Sequence, residues 1–292
     1  MFLLEKIKKF VLEDPNIGYE LYKLINPEKA KIVKLNGRFK NKHQGKRCFI
    51  IGNGPSLKDE NLSLLKDEYV FTVNQFSRYS DYKKVKTNYH FWADSAFFDI
   101  DLLKPEDTEL LKTMTDIAVD NNRVECFFPL NQKKFIEKYQ LENILNVNYF
   151  RTYSSLENRK GQIGDLSKCI AACGTVVQFA IEAAIYMGFS HIYMLGCDNT
   201  GIVTTVKSAL RKNDDEDYMY QISENEKRRM ESLLRKHTLE DYVRSYLSTL
   251  IDYRILYEIC KKNGITLVNC SSTTVIDSIP KMRMVEILRE NR

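Results

Sequence analysis

The stretch from Cys48 to Leu57 carries the clearest chemical signal in this sequence, because an apolar run stops abruptly at small residues. Its turn, Gly52-Asn53-Gly54-Pro55-Ser56, follows directly on a predicted buried strand. Such a junction is typical of a nucleotide site in a doubly wound α/β fold. Glycines let the backbone approach a ligand, and N–H groups near a following helix favour an anion. The Asn53 amide can bind phosphate or ribose. The alternative is an ordinary turn without a ligand.

The spacing of these glycines excludes two common nucleotide sites. It is not G-x-G-x-x-G, and no G-K-[ST] follows, which argues against a dinucleotide cofactor and a standard NTPase. Two phosphates usually need a divalent metal or several cations, whereas hydrogen bonds and a helix dipole can hold one. No Asp-x-Asp stands at a convincing strand end, and Cys169 and Cys173 lack histidines at zinc spacing. The sequence therefore predicts no metal and no cofactor, and it favours a monophosphate leaving group.

Polar side chains also follow the other predicted strands. In a parallel sheet, ligands bind beyond the carboxyl ends of the strands, so these side chains are expected to converge on one site. They are Asn53, Ser56, Asn74, Asp94, Asp198, Ser271 and Ser272.

Among the four histidines, His237 is the best candidate for a general base. His90 lies inside a predicted strand, His191 precedes a strand on the far side of the sheet, and His43 lies in a basic connector. An exposed histidine without a role is the alternative for His237. The polar segment 199–236 is predicted to be a lid, in which Tyr218 and Tyr220 could donate hydrogen bonds to a phosphate. A disordered surface loop is the alternative for this segment.

The elements that must position these residues alternate between strand and helix. This alternation predicts an α/β fold with a mainly parallel, doubly wound sheet that carries helices on both faces. Predicted strands lie at about 47–52, 69–73, 89–92, 124–128, 148–151, 192–195 and 265–269, and predicted helices near 59–66, 104–114, 131–138, 175–187 and 244–262. We predict a helical extension over 1–44 and one Rossmann-like catalytic domain over 45–292, which includes the lid.

Composition limits the partners and the location. The chain has 292 residues, and its net charge of +5 fits an anionic substrate or an acidic membrane surface but is too weak to indicate nucleic acid. No run approaches the roughly 20 apolar residues of a membrane span, and the start does not read as a signal peptide, so a cytoplasmic protein is expected. The amphipathic N-terminal helix could pack on the core, form an oligomer contact, or lie at the inner face of the membrane.

Several motifs resemble known families. Ile51–Leu57, Val73–Phe76 and Phe91–Phe98 look like the N-terminal half of the bacterial family 42 sialyltransferases, which use a CMP-activated sialic acid. Gly174-Thr175-Val176 and Ile192–Asp198 resemble the related MptE-like group, domain of unknown function 115. That group includes flagellin glycosyltransferases and archaeal 6-hydroxymethyl-dihydropterin diphosphokinases. The resemblance covers about 47–280.

The resemblance implies a role for each matching residue. Asn53 and Asn74, with the turn from Gly52 through Gly54 to Ser56, would contact the phosphate and ribose of the donor. Asp198 would lie by the base and ribose, and Thr175 by the sugar or phosphate. Tyr218 or Tyr220 would stabilise the departing phosphate, and His237 would deprotonate the acceptor. The chain departs from the sialyltransferase pattern at Ala93, where Asn is expected, and at Ala171-Ala172-Cys173, where an arginine is expected.

The function implied is an inverting, metal-independent glycosyltransferase of the sialyltransferase-like fold. It would transfer a sialic-acid-like sugar from a CMP donor to a cell-surface glycan or glycolipid such as lipopolysaccharide. Two alternatives stay open. One is an ATP-dependent diphosphotransferase that acts on a pterin-like alcohol, and the other is a catalytically inactive nucleotide-binding protein.

Overall fold

Nine strands lie within the residues that this computed structural model describes, which are 14–119, 121, 123–159, 161–209, 223–234 and 238–290. In chain order they are β1 (Arg47–Ile51), β2 (Tyr69–Val73), β3 (Tyr89–Phe91), β4 (Glu125–Pro129), β5 (Asn146–Phe150), β6 (Thr152–Ser155), β7 (Ile170–Ala172), β8 (His191–Leu195) and β9 (Thr266–Asn269). Seven of them form one parallel sheet in the order β5-β4-β3-β2-β1-β8-β9, and β6 pairs with β7 in a separate small sheet. The predicted α/β class with a mainly parallel sheet is confirmed.

The strand order reverses at β1. The chain first adds β2 to β5 on one side of β1, and it returns later to add β8 and β9 on the other side. β1 and β8 pair in parallel from Arg47 opposite His191 to Ile51 opposite Leu195. A crevice forms beyond the carboxyl ends of two strands at such a switch point, and ligands bind there in open α/β sheets. The fold therefore places the Gly52–Ser56 turn beside the segment that follows Leu195.

Both faces of the sheet are buried, as β1 illustrates. Cys48 and Ile50 pack into one apolar cluster, whereas Phe49 and Ile51 pack into another on the opposite face. This alternation follows from the two-residue period of a strand. Because helices cover both faces, the strand reads in sequence as a continuous apolar run.

Helices complete the two outer layers. They are α1 (Pro15–Ile25), α2 (Pro27–Lys34), α3 (Pro105–Val119), α4 (Lys133–Lys138), α5 (Val176–Tyr186), α6 (Gly201–Ala209), α7 (Glu224–Leu234), α8 (Leu239–Lys262) and α9 (Met284–Glu290). Every residue of α5 from Val177 to Tyr186 is buried, which explains why its sequence is apolar nearly all round. Among the described helices, none is long and apolar enough to cross a membrane.

One connection differs from its prediction, and the predicted lid is described in part. The helix predicted near 59–66 is wrong, because the chain forms two short 3-10 helices, Pro55–Asp59 and Leu62–Leu65, separated by an extended Glu60. The predicted lid segment contains helices α6 and α7 within its described part, which is thus more regular than the disordered loop given as its alternative. The lid role stays a prediction.

The predicted N-terminal extension is described from Asp14 onward, where the Asp14 carboxylate caps α1. Farther along, the buried Asn36 amide donates hydrogen bonds to the carbonyls of Tyr149 and Leu166, at 2.7 and 3.0 Å. The first of these contacts joins this part of the extension to β5, at the edge of the sheet. The amphipathic helix expected at the N-terminus lies outside the described residues, so its role and the domain boundary stay predictions.

Candidate functional site

A cavity of about 470 Å³ opens at the carboxyl ends of β1 and β8, where the strand order reverses. Its walls are the turn after β1, the turn after β8, the start of the 3-10 helix after β2, and the N-terminus of α5. Side chains from α7 and α8 close the remaining side. The cavity thus lies where the topology predicts a ligand site.

The turns after β1 and β8 pack directly on each other. Gly52 N–H donates to the Leu195 carbonyl, and Gly54 N–H donates to the Gly196 carbonyl, both at 2.8 Å. A Cβ on Gly54 would lie 2.7 Å from that same Gly196 oxygen. Contact between the two turns therefore requires glycine at Gly54. Gly54 also lines the cavity, and its expected role in donor binding stays a prediction.

Asp198, in the turn after β8, makes a further contact with the turn after β1. Its buried carboxylate accepts a hydrogen bond from Ser56 N–H at 2.9 Å. Burial raises the pKa of this carboxyl, and hydrogen bonds from Ser56 oppose that shift. The Ser56 donor, expected to be available to a ligand anion, is thus used by an anion of the protein itself.

Three asparagines line the cavity at strand ends. Asn53 donates through Nδ2 to the Val73 carbonyl at 3.2 Å, but its buried Oδ1 has no hydrogen-bond partner among the described residues. Asn199, just beyond β8, likewise has a buried Nδ2 without a partner in the described part of the chain. Asn74 and Asn199 adopt left-handed backbone conformations, with φ of 46° and 54°, which asparagine tolerates better than most residues. Asp198 Oδ1 and Glu226 Oε2, on two other residues that line the cavity, are likewise buried acceptors without a partner among the described residues. The cavity residues therefore carry three unsatisfied buried acceptors and one unsatisfied buried donor within the described part of the chain.

The N-terminus of α5 forms the opposite wall, through Thr175, Val176 and Val177. N–H groups in the first helical turn have no acceptor within the helix, and the helix dipole is positive there. Gln178 fixes this end, because its Oε1 accepts from Thr175 N–H at 3.0 Å and its Nε2 donates to the Thr249 carbonyl at 2.8 Å. The arrangement favours an anionic group beside Val176 and Val177.

The turn that precedes α5 is held by Asp252 of α8. The Asp252 carboxylate accepts from Gly174 N–H at 3.1 Å, and burial raises the pKa of this carboxyl to about 6. The Thr175 hydroxyl also shares a hydrogen bond of 3.3 Å with the buried Tyr253 hydroxyl. Helix α8 thus fixes the position of the α5 N-terminus.

The predicted donor-binding residues differ in whether they line this cavity. Seven of them line the cavity: Gly52, Asn53, Gly54, Asn74, Asp94, Thr175 and Asp198. Ser56, at the end of the turn, is buried and is not among the described residues that line the cavity. Ser271 and Ser272 instead line a different cavity of about 490 Å³ near α9, and Ser271 Oγ accepts from Cys197 N–H at 2.7 Å. The donor-binding roles of all these residues stay predictions.

The three predicted catalytic residues, Tyr218, Tyr220 and His237, lie outside the described residues, and their roles stay predictions. His90 is buried and bonded to Thr72 Oγ1 at 2.7 Å, and burial lowers its pKa to about 3. His191 is the first residue of β8. It lies at the amino end of this strand, whereas the cavity lies at the carboxyl ends of the strands. These two histidines thus occupy the positions expected for them.

Several cavity residues were not anticipated from the sequence: Gln75, Asn199, Glu226, Arg229, Tyr242 and Tyr246. Tyr242 and Tyr246 are four residues apart, which places them on one face of α8. That spacing could have identified them, but the predicted helix began near 244 rather than at Leu239. Glu226 and Arg229 were hidden in a charged run that reads as a solvated surface.

Several solved structures resemble this chain. The sialyltransferase CstII from Campylobacter jejuni, in complex with a substrate analogue, cytidine-5'-monophosphate, is 19% identical over 82% of this chain and 85% of that chain, with a TM-score of 0.44. The sialyltransferase CST-II in complex with a trisaccharide acceptor and CMP is 20% identical over 81% and 86%, with a TM-score of 0.44. The MAf glycosyltransferase from Magnetospirillum magneticum AMB-1 is 11% identical over 87% of this chain and 38% of that chain, with a TM-score of 0.48.

The family follows from the sequence match. No match was found among curated proteins. Residues 20–200, more than half of the chain, match the family model described as 6-hydroxymethylpterin diphosphokinase MptE-like. The matched range includes β1, the turn that follows it, the N-terminus of α5 and the end of β8. On this match, the chain belongs to the MptE-like family.

Proposed function

We propose that the chain is a glycosyltransferase that binds a nucleotide-linked sugar donor in the cavity at the β1/β8 switch point. The observation that carries the proposal is a set of buried polar groups without partners among the described residues, which includes the acceptor Asn53 Oδ1 and the donor Asn199 Nδ2, on a cavity that also holds the α5 N-terminus. An unsatisfied buried polar group is costly, so these groups indicate a ligand with both donors and acceptors. A nucleoside supplies both, and its phosphate suits the helix N-terminus.

The charges around the cavity favour a donor with one phosphate. Among the described residues that line it, Arg229 is the one cation, beside the carboxylates of Asp94, Asp198 and Glu226. Hydrogen bonds and a helix N-terminus can stabilise a single phosphate, whereas a longer phosphate chain needs more positive charge. We therefore propose a CMP-linked, sialic-acid-like sugar as the donor and a hydroxyl of a cell-surface glycan as the acceptor.

The proposed reaction is a single displacement. The acceptor oxygen forms a bond to the anomeric carbon, the bond from that carbon to the phosphate oxygen breaks, and CMP departs with the electron pair. The α5 N-terminus stabilises the charge that develops on the phosphate. His237, which lies outside the described residues, is proposed to take the acceptor proton.

A diphosphotransferase is the second candidate, and the description of the family favours it. In that reaction the alcohol loses its proton, its oxygen forms a bond to the β-phosphorus of ATP, the bond from that phosphorus to the oxygen that bridges the α- and β-phosphates breaks, and AMP departs. The carboxylates of Asp94 and Asp198 on the cavity wall would be suitable oxygen ligands for the magnesium ion that accompanies ATP.

Thermal unfolding with each nucleotide separates the candidates. A ligand at about 100 times its Kd stabilises the native state by roughly 2.7 kcal/mol, which raises the Tm by on the order of 5 °C. CMP should produce this shift, and it should be reduced by Asn53→Ala but not by Asn158→Ala, which changes an exposed asparagine outside the cavity. A shift with ATP and magnesium but none with CMP would reverse the ranking. CMP binding without any turnover of a CMP-sugar would instead favour an inactive nucleotide-binding protein.

A further inference from the structure

We propose that Tyr253 of α8 is a positioning residue that turns the hydroxyl hydrogen of Thr175 toward the phosphate of the bound nucleotide, an inference that rests on the proposed function. The Tyr253 side chain lines the cavity, yet it is only 2% exposed. Its hydroxyl lies 3.3 Å from Thr175 Oγ1, and either oxygen is able to donate in this hydrogen bond. The direction of the bond therefore determines whether Thr175 presents a donor to the cavity.

The burial of Tyr253 determines that direction. A buried tyrosine hydroxyl needs an acceptor for its hydrogen, and Thr175 Oγ1 is the partner that the described part of the chain provides. Burial also raises the pKa of the Tyr253 hydroxyl, so the hydroxyl keeps its hydrogen at neutral pH. If Thr175 donated instead, the Tyr253 hydrogen would be buried without an acceptor, which is costly. Tyr253 therefore donates to Thr175, and the Thr175 hydrogen is left for another acceptor.

The Thr175 hydroxyl lies next to the end of α5 that favours an anion. Thr175 is half-buried and lines the cavity beside Val176 and Val177, whose N–H groups belong to the first turn of α5. A phosphate oxygen at this end would accept from the Thr175 hydroxyl as well as from these N–H groups. Hydrogen bonds in a chain polarise one another, so a hydroxyl that accepts from Tyr253 is a stronger donor to the phosphate.

Other contacts fix the backbone on both sides of Thr175. Gln178 Oε1 accepts from Thr175 N–H at 3.0 Å, and the Asp252 carboxylate accepts from Gly174 N–H at 3.1 Å. Because the backbone is held in this way, the rotation of the Thr175 hydroxyl decides where its hydrogen points. The contact with Tyr253 sets that rotation.

A double-mutant cycle on CMP and cytidine binding tests this role, because cytidine lacks the phosphate. By isothermal titration calorimetry, Thr175→Val should weaken CMP binding by about 10- to 100-fold, the loss expected for a hydrogen bond to a charged group. Tyr253→Phe should weaken it by about 3- to 10-fold, the range of a hydrogen bond between uncharged groups. In the Thr175→Val background, Tyr253→Phe should have no further effect, since it acts through Thr175. Cytidine affinity should stay unchanged in every variant, which would also show that each is folded.

Two control variants keep the relevant groups in place. Thr175→Ser retains a hydroxyl and should bind CMP nearly as the wild type does. Tyr257→Phe is the matched control for Tyr253→Phe, because Tyr257 is a half-buried tyrosine one turn farther along α8 and is not among the described residues that line the cavity. It should bind CMP like the wild type.

Each outcome decides the matter. Equal CMP affinity in the wild type and Tyr253→Phe, or in the wild type and Thr175→Val, would overturn the inference while leaving the proposed function intact. A parallel loss of CMP and cytidine binding would assign Tyr253 a merely structural role, and a loss that persists in the Thr175→Val background would show that it does not act through Thr175. If the wild type binds ADP but not CMP, the proposed donor is wrong, and ADP against adenosine then judges Tyr253 by the same cycle. Absence of any nucleotide binding would overturn both proposals.

Discussion

The Asp198 carboxylate accepts a hydrogen bond from Ser56 N–H at 2.9 Å, and this contact joins the turn after β8 to the turn after β1. The motif that suggested a phosphate-binding turn therefore holds a carboxylate of the protein. In the proposal, the phosphate lies across the cavity, at the α5 N-terminus. The N–H groups of Gly52, Gly54 and Ser56 are bonded within the protein, so in the proposal the turn contributes the Asn53 side-chain amide to the site.

Replacing the Asp198 carboxylate should weaken the contact between the turns after β1 and β8. We expect Asp198→Ala to lower the free energy of unfolding by about 1–3 kcal/mol, because it leaves the buried Ser56 N–H without its acceptor. Asp67→Ala, at an exposed site, should change it by less than about 0.5 kcal/mol. Urea unfolding of both variants measures the difference. Equal stabilities would show that the Ser56 contact contributes little.

The packing of the two turns makes a second prediction. Gly54→Ala should destabilise the fold by about 1–3 kcal/mol, because the added Cβ meets the Gly196 carbonyl oxygen and the Asp198 carboxylate. Gly37→Ala is the matched control, since its Cβ would meet only Ser167 Cβ, at 3.9 Å. Thermal unfolding should show a lower Tm for the first variant alone. A Gly54→Ala protein as stable as the wild type would contradict the contact.

The buried Asp252 predicts a pH dependence of stability. Because burial raises its pKa from 3.8 to about 6, the folded state binds this proton more tightly than the unfolded chain. The free energy of unfolding due to this group is therefore highest below about pH 4 and falls as the pH rises through about 6.

Asp252→Asn removes this titration and keeps an acceptor for Gly174 N–H. Between about pH 4.5 and pH 7.5 the wild type should lose about 1–2 kcal/mol relative to the variant, as measured by urea unfolding across that range. Asp67→Asn should follow the wild-type profile. Parallel profiles for the wild type and Asp252→Asn would refute the assignment.

The proposed base makes a fourth prediction. His237→Ala should reduce sugar transfer by about 10²- to 10⁴-fold, the usual contribution of a general base, while CMP affinity stays near that of the wild type. His191→Ala changes an exposed histidine at the amino end of β8, away from the cavity, and should retain full transfer. Product formation followed by chromatography measures both. Full transfer by His237→Ala would assign the base to another residue.

The parts of this fold that local pattern predicts are those buried on all sides. The first strand, expected at 47–52, is observed at Arg47–Ile51, and the helix expected at 175–187 is observed at Val176–Tyr186. Both are continuous apolar runs that end at glycine or polar residues. Such a run predicts a buried element from the sequence alone. The parallel topology predicted that residues after the carboxyl ends of β1, β2, β3 and β8 lie close together. Residues after all four strands line the cavity.

The rest depends on contacts between distant residues. Glu226 and Arg229 look like surface charges locally, and they are buried only because Gln75, Arg78 and Asp107 lie opposite them. The use of Ser56 N–H by Asp198 is equally invisible, because it depends on how closely two turns approach. No local periodicity encodes either arrangement.

The reversal of strand order at β1 also determines when the site can exist. Ser56 and Asp198 are 142 residues apart in the chain, so the cavity closes only after β8 has paired with β1. Contacts of such long sequence separation form late and slowly, since a large loop must first close. A chain that ended before His191 would leave β1 as an exposed edge strand, able to pair with other chains. In the proposed function, nucleotide binding would therefore require that β8 has paired with β1. A nascent or truncated chain without β8 would tend to aggregate through β1.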